Sequence, residues 1–170
     1  MNFRGVIYYL GIYSLIVSLF LLLNFFYSIY FQFQFGLKVY LVSFFAVFTI
    51  GGLFIYLGFK NKLNLSYYDQ LLLVLIGFFY IPFIMSFPFF LSGYELSLLN
   101  LYFESVSGFT STGFTIFHDL NYIDKSLLIW RSMLQWLGGI YFLISLFSIL
   151  GTRRIMIKPT YLVFNESFGG

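Results

Sequence analysis

The residues best suited to chemistry in this chain form one polar stretch, GFTSTGFT at 108–115. Backbone carbonyls can replace the water around a dehydrated cation when several of them point to one axis. Such a loop needs glycine for unusual backbone angles, and hydroxyl side chains add oxygens or satisfy exposed backbone groups. By itself the stretch favours a surface turn, because clusters of Gly, Ser and Thr commonly mark loops. The flanking sequence is therefore needed to distinguish a surface turn from a cation-binding loop.

The composition places this stretch in a membrane protein. Of the 170 residues, 61% are hydrophobic, 25% are aromatic and only 9% are charged. Soluble domains carry about 25% charged residues, so this chain cannot cover a surface that faces water. The formal net charge of +3 leaves too few basic residues on one face for nucleic-acid binding. The sequence has no cysteine, which excludes disulfides, thiolate metal sites and cysteine nucleophiles.

An enzymatic function has little support. The single histidine, His118, has no partner at metal-ligand spacing, and with Asp119 and Asp124 it fits a solvated loop. The sequence shows no set of serine, histidine and acid for nucleophilic catalysis and no phosphate-binding loop. We expect a protein that is not an enzyme and that has no cofactor.

Four apolar runs are long enough to cross a bilayer, whose core needs about 20 residues of helix. They lie at 6–30, 39–59, 71–91 and 127–150. The first run is too long for a signal peptide and no cleavage site follows it, so we expect it to be retained. Pro82 and Pro88 in the third run predict a curved helix.

Residues 96–109 form a helical pattern that is too short to span the bilayer. One stripe is apolar, at Leu99, Tyr102, Phe103, Val106 and Phe109. The segment also carries polar residues, so we expect a short helix that enters the membrane part-way and turns back. Irregular backbone at that depth is tolerated only beside protein or a water-filled cavity. The negative end of the helix dipole would then point at the polar stretch, which favours the cation-binding loop.

Lysine and arginine predict the orientation of the spans. Alternate threading puts Arg4, Lys60, Lys62, Arg153, Arg154 and Lys158 on one side, and Lys38, Lys125 and Arg131 on the other. The richer side, with the N-terminus, is expected to face the cytoplasm. The opposite side collects the acids Glu95, Glu104, Asp119 and Asp124, which attract cations.

Two motifs, FESVSGFTSTGF (103–114) and KSLLIWRSMLQWLGG (125–139), resemble the Trk/Ktr/HKT superfamily of potassium transporters, and most of all its bacterial Trk-type membrane subunit. The resemblance implies an all-α polytopic membrane protein. By this resemblance, two N-terminal transmembrane helices would form a hairpin at 1–64. One M1–pore helix–filter loop–M2 repeat would follow at 65–152, and a cytoplasmic tail or linker would occupy 153–170.

The resemblance also implies an ion site. Thr110, Ser111, Thr112, Gly113 and Phe114 would form one of the four strands of a K⁺ filter, with Thr112 and Gly113 the most central. Ser111 stands where the family often has threonine, and it keeps a hydroxyl group.

Glu104 and Arg131 are charges at membrane depth, where each costs on the order of 3 kcal/mol. Arg131 could extend its charge to the interface, or it could pair with Glu104 and brace the pore helix behind the filter. Trp130 and Trp136 are predicted to be packing or interface aromatics, and Gln135 to form a helix–helix hydrogen bond.

A carbonyl filter needs four strands, and this chain supplies one, so a monomer of it cannot conduct. The leading hypothesis is the N-terminal part of a longer potassium uptake protein in a bacterial inner membrane. By resemblance, that protein would be a homodimer and would bind a cytosolic nucleotide-binding regulatory subunit near Lys60–Lys62 and Arg153–Lys158. The alternatives are a homotetrameric M1–P–M2 potassium channel and a non-conducting relic membrane protein.

Overall fold

The computed structural model describes residues 2–59, 65–94, 96–117 and 123–153. In these ranges the helices are α1 (Phe3–Tyr30), α2 (Gln34–Gly58), α3 (Tyr67–Met85), α4 (Phe87–Leu91), α5 (Leu98–Phe109) and α6 (Lys125–Arg153). Four helical segments, with α3 and α4 counted as one, are long and apolar enough to cross a membrane. The four predicted spans and the all-α polytopic membrane fold are thereby confirmed.

Several residues named in the sequence analysis lie outside the described residues. They are Lys60, Lys62, Glu95, His118, Asp119, Arg154, Lys158 and the rest of the tail.

The spanning helices run in alternating directions. At one end of the molecule, Asp69 near the start of α3 accepts the backbone N–H of Asn2, just before α1, at 2.9 Å. At the opposite end, the Tyr40 hydroxyl near the start of α2 donates to the carbonyl of Ser126 in α6 at 2.8 Å. Helices α1 and α3 therefore begin at one end and α2 and α6 at the other, as alternate threading requires. The side that faces the cytoplasm stays a prediction.

The third span is broken, and not merely curved as we predicted. Helices α3 and α4 meet at Ser86, and Pro88 lies in the first turn of α4. A proline ring clashes with the carbonyl four residues earlier and has no N–H to donate, so Pro88 ends the preceding helix. Pro82 stays inside α3. At the break, the buried indole N–H of Trp130 donates to the carbonyl of Met85 at 2.9 Å.

The core holds α5 between α3 and α6. Buried side chains from every helix meet in one cluster that includes Tyr40, Phe89, Phe109, Trp130 and Leu134. Helix α1 pairs along its length with α2 and also contacts α3 and α6. The short helix is therefore fixed on two sides by spanning helices, which leaves its third side open.

Candidate functional site

Helix α5 is the predicted short helix, and it begins two residues later than expected. The Ser97 hydroxyl accepts the backbone N–H of Asn100 at 3.3 Å, which caps the first turn. At its other end, the ring of Phe109 contacts Phe78 with centroids 6.2 Å apart. Because Phe78 lies near the middle of the span Tyr67–Leu91, α5 ends about half-way across the membrane.

A tight turn follows α5 and reverses the chain. The N–H of Thr112 donates to the carbonyl of Ser107 at 3.1 Å, and the N–H of Ser111 donates to Gly108 at 3.0 Å. This pair of bonds is a Schellman motif, whose penultimate residue takes the left-handed conformation and is usually glycine. Here that residue is Ser111, with φ of 55°. A second left-handed residue, Gly113 with φ of 82°, follows two positions later.

The polar loop 110–114 is exposed at every residue. A groove beside the turn is lined by Thr110, Ser111 and residues of α6, including Gly138 and Gly139. Nothing in the described part of the chain covers the loop on this side.

The return segment 115–117 runs back along α5 and is held by Glu104. The Glu104 carboxylate accepts the N–H of Ile116 at 3.0 Å and the hydroxyl of Thr115 at 3.2 Å. One turn later on α5, the Ser107 hydroxyl donates to the carbonyl of Phe114 at 2.6 Å. Ser107 and Thr115 were not singled out by the sequence. The available signal was the position of Ser107, three residues after Glu104 on one helix face.

The chain leaves the membrane at the end from which it entered. Phe117 packs edge-on against Tyr94, which precedes α5, with ring centroids 5.4 Å apart. The Tyr94 hydroxyl also accepts the N–H of Asp124, just before α6, at 3.1 Å. Helix α5, the polar loop and the return segment thus form a re-entrant hairpin between two spanning segments.

Glu104 and Arg131 are in contact. Nε of Arg131 lies 2.6 Å from Oε1 of Glu104, whose side chain is fully buried, while the arginine side chain is 13% exposed. That nitrogen has no hydrogen-bond partner at acceptable angles, so the contact is an ion pair without an aligned hydrogen bond. The structure pairs Arg131 with Glu104, and does not place its charge in the open. The bracing of the filter by this pair stays a prediction.

One face of α6 packs against α5. Its contacts, at helical spacing, come from Arg131, Leu134 and Gly138. A Cβ atom on Gly138 would lie 1.7 Å from the carbonyl oxygen of Phe109, whereas one on Gly139 would meet nothing within 4 Å. Gly138 therefore sets the distance between α6 and the end of the short helix.

The neighbouring polar and aromatic residues of α6 differ in burial. Trp130 is fully buried and Trp136 is 74% exposed. The predicted helix–helix hydrogen bond of Gln135 is not formed with the described residues, and it stays a prediction. Its side chain is exposed, since it lies on the open face of α6, and it bonds to none of them.

The oxygen atoms available around the loop are carbonyls and hydroxyls. Within residues 2–59, 65–94, 96–117 and 123–153, no group of three His, Asp or Glu side chains could hold a metal ion. The potential ligands at the loop are neutral oxygen atoms, which suit a weakly hydrated monovalent cation.

Comparison with known proteins finds relatives among membrane transporters. No protein-family model matches the chain. An uncharacterized cation transporter of Methanocaldococcus jannaschii is 29% identical over 143 residues, which cover 84% of this chain and 30% of the relative. The Trk system potassium uptake protein TrkI of Halomonas elongata is 40% identical over 70 residues, which cover 41% of this chain and 14% of the relative.

The Trk system potassium uptake protein TrkG of Escherichia coli is 30% identical over 106 residues, which cover 62% of this chain and 22% of the relative. The chain therefore spans under a third of the length of these relatives. The relatives are Trk potassium uptake proteins and a cation transporter, and this likeness, at modest identity over part of each chain, supports a Trk-type transporter family.

Proposed function

We propose that this chain supplies one of four strands of the filter of a potassium uptake transporter. The observation that carries the proposal is the re-entrant hairpin: α5 ends at half depth, and an exposed loop with two left-handed residues follows it. The carbonyl oxygens of the polar loop, above all those of Thr112 and Gly113, replace water around K⁺. The negative end of the α5 dipole adds to the attraction.

In this proposal the pore repeat is residues 65–152. Helices α3 and α4 together are M1, α5 is the pore helix and α6 is M2, while the N-terminal hairpin 1–64 packs outside them. The Glu104–Arg131 pair and the Gly138 contact hold the pore helix against M2. These contacts fix the loop in depth and rotation, so its carbonyls keep one geometry as ions pass.

The other three strands come from the remaining pore repeats, in the same longer polypeptide or in other chains. They occupy the open side of the polar loop and the exposed face of α6 that bears Gln135 and Trp136. The greater length of the relatives supports this arrangement. The complete transporter lies in the bacterial cytoplasmic membrane with its N-terminus in the cytoplasm. By family resemblance it is a homodimer and works with a cytosolic nucleotide-binding subunit.

Membrane potential drives the uptake. Each positive charge that crosses gains about 2.3 kcal/mol per 100 mV. A filter of neutral oxygens is sufficient for such transport, because it binds the ion without a fixed charge that would retain it.

The test is potassium uptake by a bacterial strain that lacks its own uptake systems. The strain expresses the gene together with its flanking coding sequence, and Rb⁺ and Na⁺ uptake are measured. We expect growth at low K⁺ and a high ratio of Rb⁺ to Na⁺ uptake. Absence of both, with the protein present in the membrane, would refute the proposal. Growth with residues 1–170 alone would instead support the homotetrameric channel.

A matched pair of variants tests the loop itself. Gly113 and Gly93 have φ of 82° and 73°, and a Cβ on either would meet nothing within 4 Å. Serine at either position therefore brings the same left-handed strain and no clash. We expect Gly113→Ser to lower the ratio of Rb⁺ to Na⁺ uptake and Gly93→Ser to leave it unchanged. Equal ratios in the two variants would contradict a filter role for the loop.

A further inference from the structure

We infer that the ion ligands of this strand end at Gly113, and that Ser107 is a positioning residue that turns the Phe114 carbonyl away from the ion path. The inference rests on the proposed function and makes it more specific, because the filter motif by itself includes Phe114.

The first argument is a count of free carbonyls. Among the described residues, the carbonyl oxygens of 110, 111, 112 and 113 accept no hydrogen bond, and that of Phe114 is the first in the loop that does. Backbone carbonyls at membrane depth need a partner, because lipid offers none. Four consecutive carbonyls without a hydrogen bond on an exposed loop are available to an ion or its water, whereas the fifth already accepts one from Ser107.

The second argument is the direction of the Phe114 carbonyl. Its donor, the Ser107 hydroxyl, lies 2.6 Å away, within the usual range for a bond between two oxygens. Ser107 is only 4% exposed and belongs to α5. Acceptor geometry at a carbonyl places the donor near the lone-pair directions. The Phe114 oxygen therefore faces the buried side of the loop, although the residue as a whole is 67% exposed.

The third argument is that the chain is hydrogen-bonded on both sides of the peptide group between Phe114 and Thr115. On one side, the Ser107 carbonyl accepts the N–H of Thr112 at 3.1 Å. On the other, Glu104 holds the Thr115 hydroxyl and the Ile116 N–H. Ser107 thus binds the loop through both its carbonyl and its hydroxyl. The peptide after Phe114 cannot rotate toward the open side unless the hydroxyl bond breaks.

Removing that hydroxyl frees the Phe114 carbonyl to compete for the ion. We expect Ser107→Ala to lower the ratio of Rb⁺ to Na⁺ uptake about two- to tenfold, the range set by the loss of one hydrogen bond. Ser107→Thr keeps the hydroxyl and should retain the wild-type ratio. Ser105→Ala is the matched control, because Ser105 is fully buried on the same helix and its hydroxyl reaches only the Leu101 carbonyl, at 3.4 Å.

Hydrogen–deuterium exchange gives a second measurement that does not depend on transport. In the purified protein, amides of the segment 112–117 should exchange faster in Ser107→Ala than in the wild type, and at the wild-type rate in Ser105→Ala. Unchanged exchange in Ser107→Ala would overturn the positioning role. Faster exchange with an unchanged uptake ratio would overturn the ligand set that ends at Gly113. A wild-type protein without Rb⁺ uptake would refute the proposed function. The exchange rates would then still test whether Ser107 positions the loop, because they do not depend on transport.

Discussion

Replacing Gly138 by alanine is the sharpest perturbation of the site. The new Cβ would lie 1.7 Å from the Phe109 carbonyl oxygen and 2.6 Å from its carbon. Close C···O contacts are about 3.3 Å, so α6 and the end of α5 must separate by roughly 1.6 Å, the difference between the two distances. The obstacle is backbone, which cannot rotate aside. Overpacking of this kind costs about 1–3 kcal/mol, and the shift also displaces the polar loop.

Gly139→Ala is the control for this change. It adds the same methyl group to the next residue of α6, where nothing lies within 4 Å, and it should stabilise the helix by about 0.5–1 kcal/mol. Thermal unfolding in detergent, followed by circular dichroism, and Rb⁺ uptake in cells are the assays. We expect Gly138→Ala to melt below the wild type and to lose uptake, and Gly139→Ala to melt at or above it. If Gly138→Ala melts as high as Gly139→Ala, the close approach of α5 and α6 is wrong.

Three other predictions concern single contacts. Glu104→Gln and Arg131→Gln should each destabilise the protein by about 3–5 kcal/mol, because each leaves a buried charge unpaired. The double variant should cost less than the sum of the two single variants. Strictly additive unfolding free energies would exclude the pairing. Ser111→Gly relieves a left-handed residue at the helix end and should raise the unfolding free energy by up to about 1 kcal/mol; a lower stability would contradict the assigned turn. Trp130→Phe leaves the carbonyl at the break in the third span without its donor and should cost about 1–3 kcal/mol, whereas an unchanged melting temperature would show that this bond contributes nothing.

The sequence predicted the features that depend on the length and periodicity of apolar runs. The four spans follow from run length, and the re-entrant helix from a stripe that is too short to cross. The contact between Glu104 and Arg131 was one of two hypotheses, because two opposite charges at membrane depth gain by pairing. Its presence in the structure depends on the rotation of α6, which composition does not specify.

The sequence did not predict features that depend on tertiary geometry. Pro82 and Pro88 predicted curvature, but the break falls between them at Ser86, where the Trp130 indole N–H donates to the buried carbonyl of Met85. The choice of Gly138 over its neighbour as the contact glycine depends on which face of α6 meets α5. The bond from Ser107 to the loop also escaped prediction, because the partner of a helical serine is set by the turn that follows.

Accessibility of the loop to a cation from outside is the most direct test of the central claim. Residues 1–170 contain no cysteine, so Thr112→Cys introduces the first thiol into this part of the transporter, in the exposed loop, and Thr49→Cys places one on the exposed face of α2 as a control. The unsubstituted transporter is treated with Ag⁺ in parallel. Rb⁺ uptake is measured before and after external Ag⁺, a monovalent cation that binds thiolate. We expect Ag⁺ to block uptake by Thr112→Cys, more slowly at high external K⁺, and to leave Thr49→Cys unaffected. Uptake by Thr112→Cys that persists in Ag⁺ would contradict an ion path through this loop.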